Sequence, residues 1–335
     1  MTKARSYFQA EKELRKELNE YFDKEDIRAL HKRSPARHFA IVIRQFLFLF
    51  GTAWISWHYP NPLIWIPMAL IQGFVMFNFT VLLHEQIHRS IFRGRHPRIN
   101  RFLGLLYAFP SGISATQFKT WHMDHHENLG DDEDDPKRHY LSPKRVSRLY
   151  KLLYCTPLLF GIYFRAARQE TESYPDEMRK TIGIERTLTI GLHLAIAALI
   201  WWAAGPLVLA RAYIIPYFFV FPIAFTINRL GQHYFIDPDD PRKWSTRVDG
   251  NWFSQFLFLW SNFHLEHHYF QSVPFYNLGK LNKMLRPYYE QHGIKNYTYP
   301  EILWGWYVKN HVPHTKPETG DGAQPPRGMA APQTN

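Results

Sequence analysis

Four long apolar runs limit what this chain can fold into: residues 39–57, 63–83, 188–204 and 207–227. About 20 helical residues, each rising about 1.5 Å, cross the ~30 Å hydrocarbon core of a bilayer. Only His58-Tyr59-Pro60-Asn61-Pro62 separates the first two runs, and only Gly205-Pro206 separates the last two. Turns this short make two deep helical hairpins. Arg44 interrupts the first run and is expected to extend its guanidinium to the headgroups. Pro216 and Pro222 lie in the fourth run, which a membrane helix tolerates where neighbours satisfy the freed carbonyls. The expectation is an all-α integral membrane protein with four transmembrane helices in two hairpins under a cytosolic helical cap.

The polar blocks fit around these spans. Residues 7–31 read as an amphipathic helix, solvated or interfacial, with Tyr7, Leu14, Leu18 and Tyr21 on its apolar stripe. No signal peptide is expected in residues 1–38, which form a charged cytosolic segment. Stretches 102–113 and 149–164 contain Pro110, Gly112 and Pro157 and are expected as interfacial or re-entrant helices. The membrane domain is expected over 39–313. Residues 314–335, rich in Gly, Pro, Thr, Gln and Ala, read as a disordered tail.

The chain carries a net charge of +11. Nucleic-acid binding would produce such a charge, but here the Lys and Arg flank the apolar runs, so no nucleic-acid partner is expected. Ten of them lie in residues 1–38, and 89–186 and 229–335 are also rich in them, whereas the two hairpin turns have none before Arg211. The positive-inside rule then places both termini and the long middle loop in the cytoplasm. Cys155 is the single cysteine, so neither an internal disulfide nor a Cys-ligated cluster can form.

Three histidine clusters lie beside the spans: His84-Glu85-Gln86-Ile87-His88, His122-Met123-Asp124-His125-His126 and His264-Leu265-Glu266-His267-His268. On a helix, residues i, i+3 and i+4 share a face, so each cluster is expected to aim its imidazoles at one point. His233, just past the fourth run, is a ninth candidate. One ion takes about four to six ligands, so nine histidines imply two metals. Imidazole suits Fe, Cu, Ni and Zn alike. Glu85, Asp124, Glu127 and Glu266 read either as residues that orient ligand rings or as simply solvated, and Asn228, at the end of the fourth run, either as a helix-end residue or as one that reaches a metal-bound water. The acidic run 131–135 is read as a solvated loop or as compensation for cationic metals. His193 is expected to pack within a span. His31, His38, His58, His96, His139, His292, His311 and His314 are expected at surfaces or in loops.

These motifs resemble the membrane fatty acid desaturase/hydroxylase family. The resemblance rests on His84-x-x-x-His88, on Trp121-His122-Met123-Asp124-His125-His126-Glu127-Asn128-Leu129-Gly130, on Gly231-Gln232-His233, and on Asn262-Phe263-His264 through Phe270 with Val273-Pro274 following. It covers roughly residues 35–300. It implies two irons held by His84, His88, His122, His125, His126, His233, His264, His267 and His268. It also implies dioxygen as co-substrate and a lipid or fatty acyl substrate in an apolar tunnel. The short first motif and the His-His-Glu-Asn-Leu-Gly stretch are closer to acyl-lipid and sphingolipid desaturases than to acyl-CoA desaturases. Gln271 departs from the family, where proline is common, and no fused cytochrome b5 signature is present. Electrons are then expected from a separate ferredoxin, cytochrome or reductase.

Three rival readings were weighed. Lipid hydroxylases and ketolases use similar histidine motifs. A membrane zinc protease would use His84-Glu85-x-x-His88 with Glu85 as base, but leaves the other two clusters unexplained. A metal carrier would hold its ligands at mid-bilayer rather than beside the spans.

Overall fold

The computed structural model describes residues 3–129, 131, 134–143 and 145–318. The Tyr7 side chain, residues 132 and 133 of the acidic run and residues 319–335 of the expected tail lie outside the described residues. Among the described residues the fold is all-α, with one isolated bridge, Phe235–Thr315.

The N-terminal segment forms two helices, α1 (Lys3–Tyr21) and α2 (Lys24–Leu30). Asp23 divides them by capping α2, accepting from the backbone N–H of Glu25 at 2.7 Å. Leu14 and Leu18 are buried in the main core rather than facing solvent. Glu17 also accepts from Arg242 at 3.1 Å and from Tyr288 at 2.8 Å. The segment is therefore docked on the rest of the fold.

Helices α3 (Pro35–His58) and α4 (Pro62–Ile87) lie side by side, with Phe46 and Phe79 ring centroids 4.8 Å apart. Three helical stretches are long and apolar enough to cross a membrane: 24–58, 62–87 and 176–233. Ile43, Leu47, Phe50 and Trp54 expose one apolar stripe of α3, and Leu188, Leu199 and Trp202 are exposed on the third stretch. Apolar faces this continuous call for a lipid partner. Arg44 does not extend outward. Its guanidinium stacks 4.8 Å from the Phe256 ring, with two of its nitrogens buried.

Helix α5 (Pro97–Ala108) and helix α6 (Ala115–Glu127) follow α4, and α7 (Arg148–Leu153) and α8 (Leu158–Thr171) complete the middle loop. Helix α9 (Asp176–Leu209) breaks at Gly205, whose φ of 79° an L-residue rarely adopts. The chain reverses there: His193 contacts Tyr213 and stacks 5.0 Å from Tyr217, on the far side of the break. A π-helical stretch, Ala210–Val220, leads into α10 (Phe221–His233). Pro216 has no backbone N–H to donate within this stretch, and the Gln72 amide of α4 donates to the nearby Ala212 carbonyl at 2.8 Å. Helices α11 (Trp252–Leu257), α12 (His264–Tyr269), α13 (Phe275–Gln291) and α14 (Tyr299–Leu303) close the polar side. Packing continues past residue 313, since His314 is buried and Lys316 pairs with Asp237 at 2.9 Å.

Helix α4 and the π-helical stretch touch backbone to backbone at Gly73. A Cβ there would overlap Val220 and lie 2.8 Å from the Pro216 carbonyl, whereas a Cβ on Gly51 would meet nothing within 4 Å. Gly73→Leu should therefore destabilise the protein by about 1–3 kcal/mol in thermal unfolding of the detergent-solubilised chain. Gly51→Leu should change it by less than about 0.5 kcal/mol. Equal effects at both positions would refute this packing.

Candidate metal centre

All nine candidate histidines meet in one place, as two groups. His84, His88, His122, His126 and His267 form one, and His125, His233, His264 and His268 form the other. Their ring nitrogens lie within 4.8 Å of one another inside each group. The groups adjoin, with the His126 and His268 ring centroids 4.5 Å apart.

This corrects the expectation that each motif serves one point. His84 ends α4 and His88 caps it, while His122, His125 and His126 lie on α6 and His264, His267 and His268 on α12. Every i, i+4 pair stays together: 84 with 88, 122 with 126, 264 with 268. The i+3 residue crosses to the other group. A residue three along is rotated about −60° and one four along about +40°, so the two face opposite flanks of the helix. Both H-x-x-H-H motifs thus contribute to both groups.

The second ring nitrogens explain the orientations. His125 Nδ1–H donates to the Asp135 carboxylate at 2.8 Å, and His233 Nδ1–H donates to the Trp244 carbonyl at 3.1 Å. Both therefore present bare lone pairs at Nε2, and those two Nε2 atoms are only 3.1 Å apart. Two acceptors cannot form a hydrogen bond. An electrophile between them resolves the contact. The closest Nε2–Nε2 contacts inside the two groups run from 2.7 Å (His88–His122) to 3.3 Å (His233–His268). Two ligands each about 2.1 Å from one ion at right angles would be about 3 Å apart, so the donor set fits a metal in each group. His84 Nε2 is buried without a hydrogen-bond partner among the described residues, as a ligand atom would be.

Burial holds His122, His125, His126, His264, His267 and His268 well below the usual histidine pKa, in the neutral form that binds metal. Burial, with Arg229 nearby, also pushes the Lys137 ammonium well down. Lys137 Nζ lies 3.0 Å from His122 Nδ1, behind that ring.

Of the acidic and amide candidates, only Glu85 stands beside a candidate ligand, 3.7 Å from His84 Nδ1. Its carboxylate also accepts from Ser90 at 2.7 Å and from the Phe275 backbone at 3.0 Å. Glu85 is thereby fixed as an anchor between α4 and α13 and unsuited to the protease base role. Asp124 accepts from Tyr174 at 3.4 Å, Glu266 accepts from Asn282 at 2.7 Å, and Glu127 is exposed. Asn228 donates to Ser261 at 2.6 Å. The acid that does orient a ring, Asp135, sits in the run 131–135, where sequence gave no reason to choose one carboxylate over another.

Other positioning residues also lay outside the sequence reading. Glu185 of α9 accepts from Ser114 at 2.6 Å and from the Thr116 backbone at 2.9 Å, anchoring the start of α6. His314 accepts or donates between Ser142 at 2.6 Å and the His233 carbonyl at 3.1 Å. His38, His311 and His314 are buried, not superficial.

An apolar cavity opens on the centre. His84, His122, His264 and His267 form one wall, and Phe77, Phe118, Trp121 and Phe225 another. Lys137, Asn228, Arg229 and Gln232 give it a polar side. A second cavity, bounded by Phe160, Phe164 and Phe221, shares Thr80, Phe118, Tyr163 and Phe225 with the first and extends its apolar direction.

The sequence pattern of the fatty acid desaturase family matches residues 60–300. The chain belongs to the fatty acid desaturase family. It is accordingly an oxidoreductase of lipid metabolism. It is 25% identical over 297 residues to the sphingolipid delta(4)-desaturase/C4-monooxygenase of Homo sapiens, covering 85% of each chain. It is 24% identical over 319 residues to the chloroplastic omega-3 fatty acid desaturase of Ricinus communis, covering 86% of this chain and 69% of the relative. A temperature-sensitive sn-2 acyl-lipid omega-3 desaturase (ferredoxin) of Arabidopsis thaliana matches at 23% over 280 residues, 76% of this chain and 64% of the relative. These relatives fall in the sphingolipid and acyl-lipid branch anticipated from the motifs.

Asp135→Asn keeps the shape beside His125 but removes the charged acceptor. Metal affinity of the group of four should fall about 10- to 100-fold while the group of five still binds, read by metal titration of the purified chain. Unchanged affinity at both sites would show that Asp135 does not orient His125.

Proposed function

We propose that this protein is a membrane lipid desaturase that converts a CH₂–CH₂ unit of an acyl chain to a double bond with consumption of dioxygen. The observation that carries the reading is the opening of an apolar cavity directly onto two groups of buried imidazoles. Two irons, one per group, suit that donor set, and when bound they supply the one-electron chemistry that activates dioxygen, which redox-inert zinc does not.

The chain's own part is placement and exclusion. Phe77, Phe118, Trp121 and Phe225 bind an alkyl segment and keep water from the reacting carbons. Overall, two hydrogens leave the lipid, and these with two external electrons and two protons reduce one dioxygen to two waters. Both electrons come from a separate ferredoxin, cytochrome or reductase.

In the membrane, we place four spans as two hairpins, 39–57 with 63–83 and 188–204 with 207–227. The reversal at Gly205 and the exposed apolar stripes support this. The Lys and Arg distribution puts both termini and the metal centre on the cytosolic side, with residues 1–38 and the histidine-bearing loops as its cap. The membrane domain spans 39–313, and His84, His88, His122, His125, His126, His233, His264, His267 and His268 are its metal ligands. Glu85 is the one orienting candidate that keeps a place beside them. Asp124, Glu266 and Asn228 support neighbouring helices.

The relatives' names point to sphingolipids and acyl lipids as substrates, so a lipid-borne chain is the substrate class we assign. One relative's name couples desaturase with C4-monooxygenase, which makes oxygen insertion at the same centre the second reading.

The purified chain should hold about two irons after anaerobic loading, and His125→Ala and His267→Ala should each lower this to about one. Both variants should remain in the membrane and lose activity. Expression with a matching electron donor, followed by mass spectrometry of total lipids, decides the outcome. Loss of two hydrogens marks desaturation, gain of one oxygen marks hydroxylation, and an unchanged lipid profile would overturn both readings.

A further inference from the structure

The centre has a second opening, whose lining shares no residue with that of the lipid cavity. An open groove of about 510 Å³ reaches the edge of His88, a member of the group of five. Arg15 of α1, Arg89 and Lys119 of α6 line it, together with Met123 and Phe270, and among the described residues no carboxylate does. Arg15, Arg89 and Lys119 are exposed. Arg15 is ion-paired with Glu11 at 2.6 Å, and the Arg15 side chain is the more exposed of the two. The surrounding sequence is equally one-sided, with six Lys and Arg and no acid between Glu85 and Asp124.

Arg89 is held in an unusual backbone state. It follows the His88 cap of α4 with φ of 54°, a position that ordinarily takes glycine at a helix end. The fold thus accepts local strain to place an arginine beside a candidate ligand.

We propose that this groove is the docking surface for an acidic one-electron carrier protein, which delivers the electrons of turnover past His88. The inference rests on the desaturase reading, which requires two electrons from outside for each double bond. Three arguments favour this occupant. A groove lined by Arg15, Arg89 and Lys119, with Glu11 offsetting only the first, complements an acidic surface. Met123 and Phe270 give the patch an apolar centre of the kind that anchors transient interfaces. The groove meets His88, whereas the lipid cavity meets His84, His122, His264 and His267, so a carrier docks without displacing the lipid.

The test uses the full chain in nanodiscs of neutral phosphatidylcholine. Binding of an acidic plant-type ferredoxin and of an acidic soluble cytochrome b5 domain is measured directly. At least one should bind the wild type, with affinity falling steeply as salt approaches about 0.5 M. R15E combined with K119E should weaken binding about tenfold or more, and R15Q with K119Q by less. R168E, on the exposed face of α8, should leave it unchanged. R89G should also weaken binding while unfolding at the same or a higher temperature, because it relieves the backbone strain. A purely structural role for Arg89 would give the opposite result for stability. The proposal is overturned if neither carrier binds, or if R15E/K119E binds as tightly as wild type. It is equally overturned if these variants lose only their affinity for anionic vesicles, which would make the groove a membrane contact. Because binding needs neither iron nor turnover, a chain that docks a carrier but alters no lipid would fail the desaturase reading alone.

Discussion

Neutral imidazoles packed lone pair against lone pair repel one another, and this fold gathers nine imidazoles at its centre and holds His125 and His233 in that state. Hydrogen bonds behind the rings impose it. Asp135 and the Trp244 carbonyl take the Nδ1 protons of His125 and His233. Those bonds leave only one use for the Nε2 atoms. A structural zinc site contributes on the order of 10 kcal/mol to folding, and two ions here would offset both the repulsion and the ordering of four separate helix ends. The histidines come from α4, α6, α10 and α12, so the centre also ties the long apolar helices to the polar side of the molecule.

The long helices can serve as supports because their own polar defects are repaired internally. Pro216 removes one backbone donor from the π-helical stretch, and Gln72 of α4 adds one there, at the Ala212 carbonyl. One residue further along α4, Gly73 lets the π-helical stretch approach closely. Helix α4 thus joins a rigid contact within the apolar layer to His84 and His88 at its other end. Glu85, between those two histidines, extends the same support to α13 through the Phe275 backbone.

The sequence made the parts of this arrangement legible and left their grouping hidden. Histidine spacing identified eight candidates, because helical periodicity is a local property, and His233 was added for its place just past the fourth run. It could not show that His125 and His267 cross to the opposite group, because that depends on what flanks each helix. Asp135 was one of five adjacent carboxylates, and only the loop's path back toward α6 singles it out. Arg44 looked like a residue that reaches for headgroups, since no pattern links it to Phe256, more than two hundred positions away. His314 stood at the start of a low-complexity stretch, yet its ring lies against the His233 backbone. In each case the missing information was a contact distant in sequence.

The π-helical stretch connects these levels. Ala210–Val220 runs directly into α10, and His233 is the last residue of α10. A helix fixes the direction of a side chain by counting residues, about 100° for each. Widening the turn over 210–220 changes that count before α10 begins. It therefore sets which face of α10 meets the cavity, bringing Asn228, Arg229 and Gln232 to its polar side and His233 to the group of four. In an unbroken α-helix of the same sequence, His233 would point elsewhere, and the group of four would keep three donors. The departure from regular geometry inside the apolar layer is thus the means by which a single histidine, outside every repeated motif, reaches the centre.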